Sequence, residues 1–284
     1  MTALLNGREA ATAVAPATGV RAGQWAVVLG ASSGMGRAVA LRAAAEGMHV
    51  FGVHLDTASR QDDIAAQVAE LEGHGVSVHF VNGNAAGAAT RELAVAELRE
   101  RCAGSGVGLV LHSLAFGSLL PYVPGPDGAD DAALLSPKQM TMTLEVMAHS
   151  LVWWVRDLLA AGVLLPGSHV LAMTSAGDSR VAPSYGAVSA AKSALLAHCR
   201  QLAVELAPSR ISVNALRAGV TLTPSLERIP GSARLVDVAR AANPHGRLTT
   251  PEDVAEAALT LAASSSGWVT GNVVAVDGGE GLTT

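Results

Sequence analysis

Tyr185 and Lys192 stand seven residues apart in a stretch that reads SAGDSRVAPSYGAVSAAKSAL over residues 175–195. On a helix seven residues are almost two turns, so the two side chains can share a face, about 10 Å apart along the axis. Pro183 puts Tyr185 at the mouth of that helix, where its ring can lean into a pocket. A phenol so placed can donate a proton, and a nearby ammonium favours its ionised form and lowers its pKa. The chain has 284 residues with two Tyr and two Lys beside 17 Arg. Base composition explains that scarcity. Proximity alone therefore gives the pair no role, and a half-buried Tyr beside a solvated Lys is the bland alternative.

A second cluster lies upstream. Gly30-Ala31-Ser32-Ser33-Gly34-Met35-Gly36 follows an apolar run and opens a helix-like segment, with glycines spaced GxxxGxG. Such a loop gives a tight turn, close backbone approach to a pyrophosphate and a helix N-terminus aimed at the anion. Small-residue turns without a ligand are the competing reading. His112, His149 and His198 are isolated and read as packed or surface histidines, so no metal site is expected.

The elements that must position these residues alternate. Strand-like runs at 25–30, 49–54, 76–81, 107–112, 168–174, 211–216 and 273–276 are separated by helical segments near 36–46, 59–72, 88–102, 137–161, 185–206 and 251–263. Runs of β-branched and Leu residues without polar alternation suit strands covered on both faces. The pattern predicts an α/β protein: one Rossmann-like, doubly wound domain with a seven-stranded parallel sheet flanked by helices, over 23–284. Residues 1–22, small and polar without the apolar centre of a signal peptide, read as a flexible arm.

Composition narrows the classes. The chain is 50% hydrophobic and 15% charged with net charge −5, which excludes a disordered chain and gives no basic surface for nucleic acid. No apolar run reaches the roughly 18 residues of a membrane span; the best candidate, 150–165, is broken by Arg156 and Asp157. Cys102 and Cys199 fit no disulfide framework or CxxC site. A soluble cytoplasmic protein is expected.

The glycine loop, with Val276-Asp277-Gly278-Gly279 near the end, resembles the short-chain dehydrogenase/reductase family over residues 24–280. Most members have Tyr-x3-Lys, but no Tyr stands four residues before Lys192. The Tyr-x6-Lys spacing resembles the enoyl-acyl-carrier-protein reductase branch, which acts on carbon–carbon double bonds. His112-Ser113-Leu114-Ala115-Phe116, Ala218-Gly219 and Met147 in place of a catalytic Asn point the same way. Ser175, where many enoyl reductases have a second Tyr, is usual in carbonyl reductases, and Tyr122 is too loosely placed to be substituted for it.

The resemblance implies roles. Tyr185 would stabilise the enolate of an enoyl thioester after hydride reaches the β-carbon. Lys192 would bind the nicotinamide ribose, and Ser175 would be either a second donor or a hydroxyl satisfying the strand end. Gly30, Ser32, Ser33, Gly34, Met35, Gly36, Asn84, Ala85, Ser113, Leu114, Ala115, Gly219, Thr221 and Thr223 would line the cofactor, under a lid over about 221–247. At the second strand's end, Arg60 could reach a 2′-phosphate and His54 donate to one; equally, Asp56 could bind a ribose hydroxyl, or all three could be solvated loop residues. The reading leans to NADPH over NADH. The implied partner is an acyl thioester of acyl carrier protein or coenzyme A. Trp153, Trp154 and Trp268 suit either a homotetramer interface or core packing. The competing readings are a 3-oxoacyl-type carbonyl reductase and an idle cofactor-binding sensor.

Overall fold

The computed structural model describes residues 21–102, 104–125, 134–229 and 231–283. Its strands are β1 (Trp25–Leu29), β2 (His49–His54), β3 (Val78–Asn82), β4 (Val107–His112), β5 (Leu164–Ser175), β6 (Ser212–Ala218) and β7 (Val273–Val276). They form one parallel sheet in the order β3-β2-β1-β4-β5-β6-β7. The predicted doubly wound architecture is present.

Period-two alternation explains how one strand serves two cores. Trp25, Val27 and Leu29 of β1 enter one apolar layer, while Ala26 and Val28 enter the opposite one. The first layer is closed by α3 (Ala88–Cys102), α5 (Ser150–Ala160) and α6 (Gly186–Leu206). The second is closed by α1 (Gly34–Ala45), α2 (Gln61–Glu72) and α9 (Pro251–Ala262). Burial on this scale, at roughly 1.5–3 kcal/mol per large apolar side chain, offsets the entropy of ordering the chain. Trp154 is fully buried and donates its indole N–H to Ala85 O at 2.7 Å, so it is a core residue; Trp268 is exposed. No helix among the described residues is long and apolar enough to cross a membrane.

Several predicted boundaries move. The helix expected over 137–161 is α4 (Pro137–Leu144), a π-helical turn at Glu145–His149, then α5. Ser136 and Gln139 form a capping box that starts α4 after the long loop. β5 is longer than expected because Leu164 pairs with Val107 ahead of a register shift. The 221–247 segment contains α7 (Pro224–Glu227) and α8 (Ser232–Ala242), and α10 (Glu280–Thr283) ends the described chain. Most of the expected arm, residues 1–20, lies outside the described residues. Within its last two positions Arg21 is held in place: it donates to Ala262 O at 2.6 Å and Ser264 O at 3.1 Å at the end of α9.

Of the three histidines read as isolated, His112 is packed inside the sheet as expected, but His149 and His198 are not isolated, their rings meeting at 3.0 Å between Nδ1 and Nε2. His169 is likewise packed inside the sheet. His112 donates from Nε2 to Ser150 Oγ at 2.8 Å, because the Ser150 proton goes to Val146 O at 2.8 Å. His169 is bracketed by Ser212 and by Ser264 O. Burial pushes their pKa values from 6.5 to about 3 and about 4. With folded values below the unfolded one, the stability they confer is present above pH 6.5 and is lost as pH falls toward 4. Denaturant titrations around pH 5 should therefore show about two protons taken up on unfolding, a slope of about 2.7 kcal/mol per pH unit. His169→Gln should remove about one of these protons; an unchanged slope would contradict the assignment.

Candidate active site

Every strand runs the same way, so the strand exits gather along one edge, and the order reverses between β1 and β4. That crevice is where ligands bind in such sheets. Gly30 leaves β1 at φ +90°, and a Cβ there would run into Ser113 O, at the exit of β4. A Cβ on Gly36 would strike Gly30 O. The loop is thus a closed backbone cradle. Ser33 precedes α1 without making a side-chain cap, and no acidic residue stands in the first helical turn. The cradle and the helix start fit a pyrophosphate. Met35 packs partly against the core, and Gln67 buttresses the loop by donating to Ala31 O at 2.8 Å.

The adenosine end is organised around Asp56. Its carboxylate meets His54 Nδ1 at 2.9 Å, Arg60 at 2.8 Å and the Ser32 side chain. Burial pushes this carboxyl up, but hydrogen bonds from Ser32 and His54 and the charge of Arg60 outweigh it and hold the group below the usual range. His54 is buried beside Phe80, and Arg60 also faces Asp63. The three form one network rather than separate solvated residues. Asn84 is exposed and Ala85 buried after β3, where Asn84 Oδ1 accepts from Ala86 N at 3.0 Å.

The catalytic candidates converge where β5 and α6 meet. Ser184, at φ +59°, turns the chain into α6 and leaves Tyr185 as its N-cap. The Ser175 hydroxyl hydrogen-bonds the Tyr185 phenol and also accepts from Gly177 N at 3.4 Å. Burial raises the Tyr185 pKa, and the opposing influence is Ser175. This corrects the expectation that Lys192 would lower it: here the phenol stays protonated, as a donor. Lys192 is 6% exposed and donates to Met173 O at 2.7 Å. Its other protons have no partner among the described residues, and they fit a ribose diol.

Ser113 donates its N–H to Leu29 O at 2.9 Å, Leu114 packs against the core and Ala115 is exposed. Gly219 follows β6, and Thr221 donates to its carbonyl at 2.9 Å. Thr223 caps α7 and reaches the glycine loop, since a Cβ on Gly34 would lie 3.3 Å from Thr223 Cγ2. Met147 is buried in a small apolar cluster with Val188 and Ala191, against which Leu119 and the Tyr185 ring pack. Tyr122 is exposed, and its ring lies over Gly186, where a Cβ would come within 2.5 Å of it.

Sequence reasoning gave no role to Asp178 or to its partner Arg217, which bonds it at 2.9 Å and 3.1 Å. Nothing local marks this pair; only the β5–β6 register, which sets Thr174 opposite Arg217, brings the two together.

This glycine cradle at the β1/β4 crevice, with Ser175, Tyr185 and Lys192 at the next strand exit, defines a nucleotide-dependent oxidoreductase. A family model described as Enoyl-(Acyl carrier protein) reductase matches residues 30–280, and the chain belongs to that family of short-chain dehydrogenases/reductases. It is 35% identical over 268 residues to cis-4-hydroxycyclohexanecarboxylate dehydrogenase of Sinomonas cyclohexanicum, covering 89% of this chain and 95% of that one. It is 28% identical over 173 residues to the NADH-dependent enoyl-[acyl-carrier-protein] reductase FabI of Aquifex aeolicus, covering 60% of this chain and 61% of the other. Among solved structures, a Burkholderia cenocepacia short-chain dehydrogenase in complex with NADP superimposes with a TM-score of 0.75 at 25% identity, over 92% of this chain and 98% of that one.

Burial lowers the Lys192 pKa from 10.5 to about 8, against the opposing charge of Asp178. A lowered folded value means that stability is present above pH 10.5 and lost as pH falls through 8. Lys192→Met should therefore be stabilised relative to the parent at neutral pH. That advantage should shrink by about 2 kcal/mol on going to about pH 9.5 in denaturant titrations. A pH-independent difference would contradict the burial of a charged lysine.

Proposed function

We propose that the protein reduces the carbon–carbon double bond of an enoyl thioester, carried by acyl carrier protein or coenzyme A. The observation that carries this reading is the placement of Tyr185 at the N-cap of α6, seven residues before Lys192 and against the Met147–Val188 cluster. An apolar wall beside one strong donor suits a reaction whose charge develops on a single thioester oxygen. When bound, the nicotinamide supplies the hydride that reaches the substrate β-carbon. Tyr185 donates its hydrogen bond to the thioester oxygen, a contribution of roughly 3–4 kcal/mol to the transition state. Ser175 orients the phenol. Lys192 offers its unpaired protons to ribose hydroxyls and so fixes the cofactor against the substrate. The α-carbon then takes its proton from solvent or through Tyr185.

The Ser175–Tyr185 hydrogen bond favours one second reading, reduction of a carbonyl group, and the Sinomonas relative is named as the dehydrogenase of a hydroxy acid. Reduced nicotinamide is mixed with a crotonyl or an acetoacetyl thioester and its absorbance followed. Oxidation with the crotonyl substrate is expected; oxidation with the acetoacetyl substrate alone would establish the second reading instead. Tyr185→Phe should lower kcat by about 10²–10³-fold with cofactor affinity retained. Unchanged turnover would remove Tyr185 from the chemistry.

The Asp56 arrangement supports NADH, reversing the lean toward NADPH, because its carboxylate stands beside Ser32 of the cradle and would repel a 2′-phosphate. kcat/KM should favour NADH by about tenfold or more, equivalent to about 1.4 kcal/mol. Asp56→Asn should narrow that ratio, and a parent enzyme faster with NADPH would refute this assignment.

A further inference from the structure

Directly after β5 the chain makes a 3-10 turn, Ala176–Asp178, before it loops to Tyr185. Asp178 is the one acidic residue in that loop, and its side chain is 1% exposed. Burying a carboxylate is costly unless every oxygen is matched. Arg217 on β6 grips it two-pronged, Nη2 to Oδ1 at 2.9 Å and Nε to Oδ2 at 3.1 Å. Thr174 Oγ1 donates to Oδ2 at 3.0 Å. The Asp178 backbone carbonyl accepts from Ser193 Oγ at 3.2 Å, and Ser193 follows Lys192 on α6. The turn after Ser175 is therefore fastened both to β6 and to the helix that carries Tyr185 and Lys192.

The same carboxylate faces Lys192 electrostatically. The other groups around that ammonium are Met173 O on β5, His112 on β4 and Cys199 one helical stretch further along α6. Burial holds His112 uncharged, with a pKa of about 3, and holds Cys199 as a thiol, with a pKa of about 12. Neither supplies a negative charge near neutral pH.

We propose that Asp178 is a positioning residue of the reductase site, fixing the Ser175–Tyr185 loop and supplying the counter-charge to Lys192, and that Arg217 sets how much of that charge Lys192 receives. Arg217 shares the carboxylate, so it tempers the anion without cancelling it. Neutralising Asp178 takes the counter-charge away and disfavours the ammonium. Removing Arg217 leaves the carboxylate to Lys192 alone and favours it. A purely mechanical clamp has no reason to give the two changes opposite signs. The proposal rests on Lys192 serving the cofactor subsite and is independent of which bond is reduced.

The composition makes the test direct, because Lys192 shares the chain with one other lysine, the exposed Lys138. Protein labelled with [13Cε]lysine has two lysine Cε signals to follow by NMR, and Lys138→Arg assigns them. In Asp178→Asn the Lys192 midpoint should fall by roughly one pH unit, and in Arg217→Met it should rise. The alkaline limb of kcat/KM for the cofactor should move with each. Midpoints that stay fixed, or that move in the same direction, overturn the proposal. If circular dichroism shows Asp178→Asn unfolded, Arg217→Met decides alone: a rise supports the proposal and a fixed or lowered midpoint overturns it. The NMR titration needs no substrate, so failure of the crotonyl assay is separable from failure here.

Discussion

At the exit of β1 the backbone is packed so closely that Gly30 has no room for a Cβ against Ser113 O beyond β4, nor Gly36 against Gly30 O, and the rest of the site follows from these contacts. They force the first turn to close on itself and bring the start of α1 to the crevice. Thr223 touches Gly34 from the far side of β6, so the segment above the site rests on the same turn. Substituting either glycine would displace backbone, because what a side chain would meet is carbonyl oxygen.

Lysine and tyrosine divide the work in a way that their spacing alone did not reveal. The Lys192 ammonium is committed to Met173 O and balanced by Asp178, whereas Tyr185 is governed by burial and Ser175. The phenol is thereby kept as a donor, and the cation is kept for binding. An ionised tyrosine would compete with the substrate oxygen for negative charge; a neutral one complements it. The apolar cluster of Met147, Val188 and Ala191 preserves that state by excluding competing polar groups from one side of the ring.

The sheet was legible because parallel strands buried on both faces write themselves as unbroken apolar runs, as in WAVVL and VGLVLH. The glycine turn and the Tyr185–Lys192 spacing were legible because each is a local pattern. What escaped is set by long-range register. Arg217 meets Asp178 across 39 residues, and Tyr122 meets Gly186 from a loop with no periodicity. The π turn at Glu145–His149 carries neither Gly nor Pro to announce it. His54 and Asp56 were readable as types but not as directions, and the direction of His54, inward toward Asp56, changes the cofactor reading.

Arg21 has a bearing on where the folding unit starts. A helix end leaves carbonyls without partners, and at α9 the guanidinium of Arg21 supplies donors to Ala262 O and Ser264 O, the latter also held by His169. The end of α9 therefore depends on a side chain four positions ahead of the first strand. A truncation made flush with β1 would keep every strand and helix yet unstopper α9, and with it the layer that supports the glycine turn from below.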